Sequence, residues 1–294
     1  MIAHAQLVIV LTLPAILSLF SRFAISSSVR SFARVSGFIP VYILTGILGL
    51  CVGSFLNVVI YRVPNKMSLA KPNSHCPICQ YELRWYDNIP IISYLILGGK
   101  CRKCRTNISI RYILVEIANA ALWLLSVILF WQESIGLACT YALVFSGFIC
   151  IFFIDIEHKL IFNRFQIALL LLGFATIFFD NDYKLISHLI GAAAGFAVFF
   201  LISYCFEKIF KKEGLGGGDV KLACVAGLLL GWERLLLALI VATVPAAIIM
   251  SFATRGKEGE ERQFPFAPFL VIGFSIAMLF GTQIIIWYLS LLGF

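Results

Sequence analysis

The chain has 294 residues, 61% hydrophobic and 13% charged, with a mean hydropathy of +0.97. Soluble domains carry about 25% charged residues, so this composition excludes a soluble globular protein and predicts a polytopic membrane protein. The net charge of +8 does not point to nucleic acid: the basic residues lie in loops between apolar segments, where they set topology, and no RRM-, HTH- or KH-like pattern is present.

A hydrocarbon core about 30 Å thick needs roughly 20 apolar residues per helix. On that measure, spans are expected near 2–20, 39–60, 112–131, 135–154, 163–179, 185–205, 220–231, 234–253 and 266–293, with a break near Gly231. The expected fold is an all-α polytopic membrane protein of about eight transmembrane helices with one small polar insert. The expected organisation is residues 1–37 as an N-terminal extension or anchor, 38–61 as a transmembrane helix, 62–111 as the insert and 112–294 as the main membrane domain. If residues 2–20 form a span, Arg22, Arg30 and Arg34 fall outside, against the positive-inside rule.

The insert carries nine basic residues against Glu82 and Asp87, a net charge of +7. The same rule places it in the cytoplasm. Alternating sides from there puts 155–163, 207–219 and 254–264 on the same face. The opposite connections, around Gln132-Glu133, Asp180-Asn181-Asp182 and Trp232-Glu233, are short and mostly acidic. Phase and charge therefore agree.

The nine cysteines form two groups. Cys51, Cys139, Cys150, Cys205 and Cys224 are scattered through apolar stretches, where a free cysteine packs as a small hydrophobe. Cys76-Pro-Ile-Cys79 and Cys101-Arg-Lys-Cys104 lie together in the insert. Two CxxC pairs at that separation fit a four-thiolate zinc site. Lys100, Arg102, Lys103 and Arg105 favour thiolate over thiol. Four sulfurs close the coordination shell, so such a zinc is structural, holding a loop too small and polar to fold on its own core. The alternative for these cysteines is a pair of disulfides, which a reducing cytoplasm disfavours.

Two aspartates lie at the expected cytoplasmic edges of apolar segments: Asp155 in FIDIEHKLIFN and Asp219 in GLGGGDVKLA. An ionisable residue at such a border is costly and points to function. Gly216 and Gly218, beside Asp219, remove side-chain bulk and allow another backbone to approach. Two carboxylates sharing a site do not ionise together easily, so one holds a proton as acid while the other activates water as base. Each also has a plainer reading, Asp155 as a loop residue beside Glu157, His158 and Lys159, and Asp219 as an N-cap for a helix starting at Val220.

GSFLNVVIYRVP (53–64), the tetracysteine insert with WYDNIPIISYLILGGKCRKC (85–104), ISIRYILVE (108–116), FIDIEHKLIFN, GLGGGDVKLA and PFAPFLVIG (265–273) occur in this order. Together they closely resemble the bacterial type IV prepilin peptidases, bifunctional leader peptidase/N-methyltransferases of the GxGD aspartyl protease class. The resemblance runs from about residue 40 to the end. It implies catalytic Asp155 and Asp219, with Gly216-x-Gly218-Asp219 as the GxGD motif. It implies prepilin and pseudopilin substrates, processed at the cytoplasmic face of the bacterial inner membrane for type IV pili or type II secretion. It also implies methylation of the new N-terminus with S-adenosylmethionine. No Rossmann-type GxGxxG is present, so that cofactor needs another site, and Gly99, Lys100 and Glu116 are its candidates. Their plainer readings are a turn at Gly98-Gly99, support of the thiolates by Lys100, and a Glu116 pair with Arg111. Phe162, Ile113 and Ala267 depart from the family's usual Pro, Pro and Gly. A scaffold or transporter-like protein with a docking insert is the rival reading, and it leaves the GGGD run and the paired carboxylates unexplained.

Overall fold

The computed structural model describes residues 38–180, 185–211, 216–253 and 265–293. The expectations for 1–37 and for the 254–264 loop lie outside them. The chain divides into two units, Met1–Leu44 and Thr45–Phe294. Of the first, only the last residues are described, and they begin helix α1.

Eight helices occur among the described residues: α1 (Ile39–Arg62), α2 (Ile92–Ile96), α3 (Arg111–Phe130), α4 (Ile135–His158), α5 (Asn163–Phe179), α6 (Leu185–Phe210), α7 (Gly217–Ala253) and α8 (Ala267–Leu291). Six of them are long and apolar enough to cross a membrane, judged by length and composition, and α5 is a shorter apolar helix. Within α7, Gly231 has φ 73° and ψ 169°, a conformation essentially reserved for glycine. It folds α7 into two arms, as the sequence predicts. A methyl group added at Gly195 would meet both Ala223 of the first arm and Leu235 of the second, so the arms lie side by side against α6. Counting them separately gives eight apolar segments. The architecture is an all-helical membrane bundle, as expected.

Between these helices there is no hydrophobic drive inside lipid, so close packing and interhelical hydrogen bonds hold the bundle. The α6–α7 contact is backbone on backbone. A methyl at Gly227 would lie 2.1 Å from the Gly191 carbonyl oxygen, and one at Gly191 would lie 2.5 Å from that of Gly227. Elsewhere polar side chains link the helices. Asn119 Nδ2 donates to the Gly49 carbonyl at 2.7 Å, and Asn119 Oδ1 accepts from Ser146 Oγ at 2.8 Å, joining α1, α3 and α4. Helix α4 is the central element, with Tyr141, Phe145 and Phe148 essentially inaccessible. Arg234, in the second arm of α7, is buried against Asp180 at 2.8 Å and against Tyr141 Oη at 3.3 Å. That contact ties the start of α4 to the end of α5.

Candidate active site and metal centre

Asp155 occupies the last turn of α4. The helix stops three residues later, where Lys159 takes a left-handed conformation, φ 53°, and its N–H donates to the Asp155 carbonyl at 2.9 Å. The Asp155 side chain turns inward: the residue is buried, and Oδ2 accepts from the Ala267 N–H at the start of α8, at 3.2 Å. It is not a loop residue. Asp219 is the third residue of α7, whose helix begins at Gly217 and not at Val220. It therefore lies inside the first turn and is not the N-cap. Its Oδ1 is buried and meets no hydrogen-bond partner among the described residues.

Three contacts hold the first turn of α7 against the α4–α5 loop and the first turn of α5. Gln166 Nε2, from the first turn of α5, donates to the Gly218 carbonyl at 2.8 Å. Lys221 Nζ donates to Asn163 Oδ1 at 3.1 Å. A methyl at Gly218 would lie 3.0 Å from Ile161 Cβ, so this glycine admits the α4–α5 loop. A methyl at Gly216 would meet Asp219 Oδ2 at 3.3 Å, whereas one at Gly217 would meet nothing. The open side of the glycine run is therefore at Gly217.

The insert is built as two copies of one turn. His75 bridges antiparallel to Glu82, and Lys100 to Asn107. Cys76 N–H donates to the Tyr81 carbonyl at 3.0 Å, and Cys101 N–H to the Thr106 carbonyl at 2.8 Å. Gln80 and Arg105, one residue past each second cysteine, both have positive φ, 55° and 60°. This turn aims both sulfurs of a CxxC pair the same way. All four sulfurs lie within 4.8 Å of one another, with Cys76–Cys104 at 3.8 Å and Cys79–Cys101 at 3.9 Å. A tetrahedral zinc at about 2.3 Å from each sulfur requires about 3.8 Å between them, so the donor set fits the ion. Disulfides do not fit, since bonded sulfurs sit about 2.05 Å apart. A hydrogen bond with the Thr106 hydroxyl, reinforced by its backbone, pushes the Cys104 thiol down to about 6.

Asp87 carries no sign of its role in the sequence. It is buried at the end of the 3-10 turn Trp85–Asn88 and receives three elements. Arg102, between the second pair of cysteines, approaches Oδ1 at 2.7 Å. The Arg84 N–H and the Tyr81 hydroxyl reach Oδ2 at 3.2 and 3.4 Å. One carboxylate thus locks both cysteine turns together.

A cavity of about 900 Å³ lies between the insert and the ends of α1 and α3. Glu116, Glu157, Asp87, Arg62, Arg111 and Asn57 are among its lining. Of the three candidate cofactor residues, Glu116 lines it. Gly99 sits in a turn of two positive-φ glycines, and Lys100 in the bridge to Asn107. Glu116 Oε2 accepts from the Ile91 N–H at 2.8 Å. Arg111 pairs with Glu157 and not with Glu116. That bond joins the first residue of α3 to α4 two residues past Asp155.

Two family models match the chain: the bacterial peptidase A24 N-terminal domain over residues 47–130, and the type IV leader peptidase family over residues 142–251. A prepilin leader peptidase/N-methyltransferase of Pseudomonas aeruginosa is 35% identical over 279 residues, covering 85% of this chain and 94% of that protein. The chain belongs to the type IV leader peptidase family. Proteins of the same name are 34% identical in Burkholderia pseudomallei, over 80% of this chain and 84% of the relative, and 36% identical in Dichelobacter nodosus, over 81% and 91%. No solved structure matches the chain. The second family model spans both aspartates, and the first spans all four cysteines.

Proposed function

We propose that this protein is a prepilin leader peptidase and N-methyltransferase of the bacterial inner membrane. Substrates are prepilins and pseudopilins, whose basic leader stays in the cytoplasm and whose apolar stem lies in the bilayer. The observation that supports the reading is that the first turn of α7, which carries Asp219, packs at Gly218 against Ile161 of the loop that follows Asp155, and is held there by the Gln166–Gly218 and Asn163–Lys221 contacts. The scissile bond of such a substrate falls at that interface.

In cleavage, one aspartate takes a proton from water as it attacks the scissile carbonyl, and the other gives a proton to the leaving amine. The Ala267 N–H orients Asp155. The substrate backbone approaches over Gly217, with Gly216 and Gly218 keeping the turn slim. The new α-amine has a pKa of about 7.7–8.0, leaving a usable neutral fraction at neutral pH.

Methylation is assigned to the insert-side cavity, whose volume lies within the usual range for small-molecule sites, about 300–1,000 Å³. S-Adenosylmethionine supplies an activated methyl group there. Glu116 and Glu157 offer carboxylates to cationic groups and a place for the proton lost by the amine. Cys76, Cys79, Cys101 and Cys104 would hold a zinc ion whose role would be to fix the insert.

The test mixes the purified enzyme with a candidate prepilin, with and without S-adenosylmethionine, and reads product mass. Loss of the leader alone is expected without the cofactor, and loss of the leader plus one methyl group with it. An intact prepilin after incubation with folded enzyme overturns the reading.

A further inference from the structure

Helix α2, Ile92–Ile96, buries none of its residues. Ile92, Leu95 and Ile96 are 54%, 67% and 75% exposed. Their spacing of i, i+3 and i+4 puts them on one face of the turn. The other residues are engaged. Ser93 Oγ donates to the Ile89 carbonyl at 2.8 Å, and the Tyr94 hydroxyl donates to the Ile108 carbonyl at 3.3 Å. Single exposed apolar residues are ordinary, but a contiguous apolar face on a small polar module marks a contact surface.

The depth of this face identifies its partner. The residue just before α2, Ile91, donates its N–H to Glu116 Oε2 at 2.8 Å. Glu116 is the sixth residue of the membrane-spanning helix α3. At 1.5 Å per residue it sits about 8 Å inside that helix's start. Amphipathic segments bury their apolar face about 5–10 Å into the boundary between headgroups and acyl chains. Leu114 and Ile117, on either side of Glu116 in α3, are 51% and 48% exposed and belong to the lipid-facing stripe of that helix. The Ile91–Glu116 contact thus holds the start of the apolar turn level with this exposed apolar band of α3.

We propose that Ile92, Leu95 and Ile96 form a foot that rests in the bilayer, so the insert is a membrane-seated module bound to lipid. The back of the foot, Ile91, Ser93, Tyr94 and Leu97, is one wall of the 900 Å³ cavity. Lipid contact therefore sets that wall's position.

The test uses the full-length protein in nanodiscs of phosphatidylethanolamine and phosphatidylglycerol, without substrate. Photoreactive benzoylphenylalanine replaces Ile96, Leu114 or Lys103 in turn, and adducts are read by mass spectrometry. The Ile96 position is expected to give lipid adducts comparable to Leu114, while Lys103 gives only background. A yield at Ile96 that falls to the Lys103 background overturns the proposal. So does a yield at Ile96 that goes to a pilin peptide on its addition without prior lipid adducts, which makes the face a substrate dock. Because the readout is a lipid adduct, its failure leaves the cleavage and methylation reading standing.

Discussion

Replacing Gln166 by Leu removes the donor that holds the first turn of α7 against the first turn of α5. Gln166 is only 4% exposed, and its amide is 2.8 Å from the Gly218 carbonyl, one residue before Asp219. Losing one part-buried hydrogen bond of this kind costs about 0.5–1.5 kcal/mol. If that energy appears as misalignment of the aspartate pair, it corresponds to about two- to 13-fold in rate. Lys221→Met breaks the second, solvent-exposed contact to Asn163 and should cost no more than about fivefold, because exposed polar contacts contribute about 1 kcal/mol or less. The assay is leader removal from a prepilin in detergent or nanodiscs, with kcat and KM separated and corrected for folded fraction. The loss should fall on kcat, and methylation of an already trimmed substrate should be unchanged. Wild-type kcat in folded Gln166→Leu protein would refute the reasoning. So would an equal loss of methylation, since the two sites would then share this support.

The aspartate pair makes a second expectation: Asp155→Asn and Asp219→Asn each abolish cleavage, the double change is no worse than either, and trimmed substrate is still methylated, all read by product mass. Cleavage should follow a bell-shaped pH profile, falling in acid as the base carboxylate takes a proton and falling in alkali as the acid carboxylate loses one; a monotonic profile from pH 4 to 9 argues against the pair. For the insert, Cys76→Ser should release zinc measured by elemental analysis, and acidification should do the same in wild-type protein because protons compete for the thiolates; active protein without metal refutes the assignment. Gly227→Leu should separate α6 from α7, since even a methyl would sit 2.1 Å from the Gly191 carbonyl, and overpacking of this kind costs about 1–3 kcal/mol; an unchanged melting temperature contradicts the backbone contact.

The parts legible in the sequence are those that composition or local geometry decides. Hydropathy places the spans because every backbone polar group in lipid must be satisfied within its own helix. Gly231 is predictable as a break because few residues other than glycine take its φ. The CxxC pairs are predictable because the turn that aims two sulfurs together is local, and it recurs with the same bridge at His75–Glu82 and Lys100–Asn107. The expected Glu116 pair with Arg111 illustrates the opposite case. Five residues apart, the two point in different directions on α3, and Arg111 instead reaches Glu157, 46 residues away. Gln166 and Gly218 are 52 residues apart, and no local pattern marks either as a partner.

Gly218 shows how a correct motif can conceal its physical reason. In the sequence, a glycine next to Asp219 reads as room for a substrate backbone. In the structure, the missing Cβ at 218 is filled by Ile161 from the loop that follows Asp155, while the unobstructed glycine is Gly217. The first and third glycines of the run therefore differ from the middle one in what they serve. Gly218 lets the loop that follows Asp155 close on the first turn of α7, and Gly216 keeps clear of the Asp219 carboxylate. A side chain at Gly218 would push the α4–α5 loop outward and part the carboxylates, whereas one at Gly217 would leave them together and stand in the path of the substrate. On the proposed mechanism, the same stretch of glycine assembles the aspartate pair from within and exposes it from without. Only the long-range approach of Ile161 distinguishes the two functions.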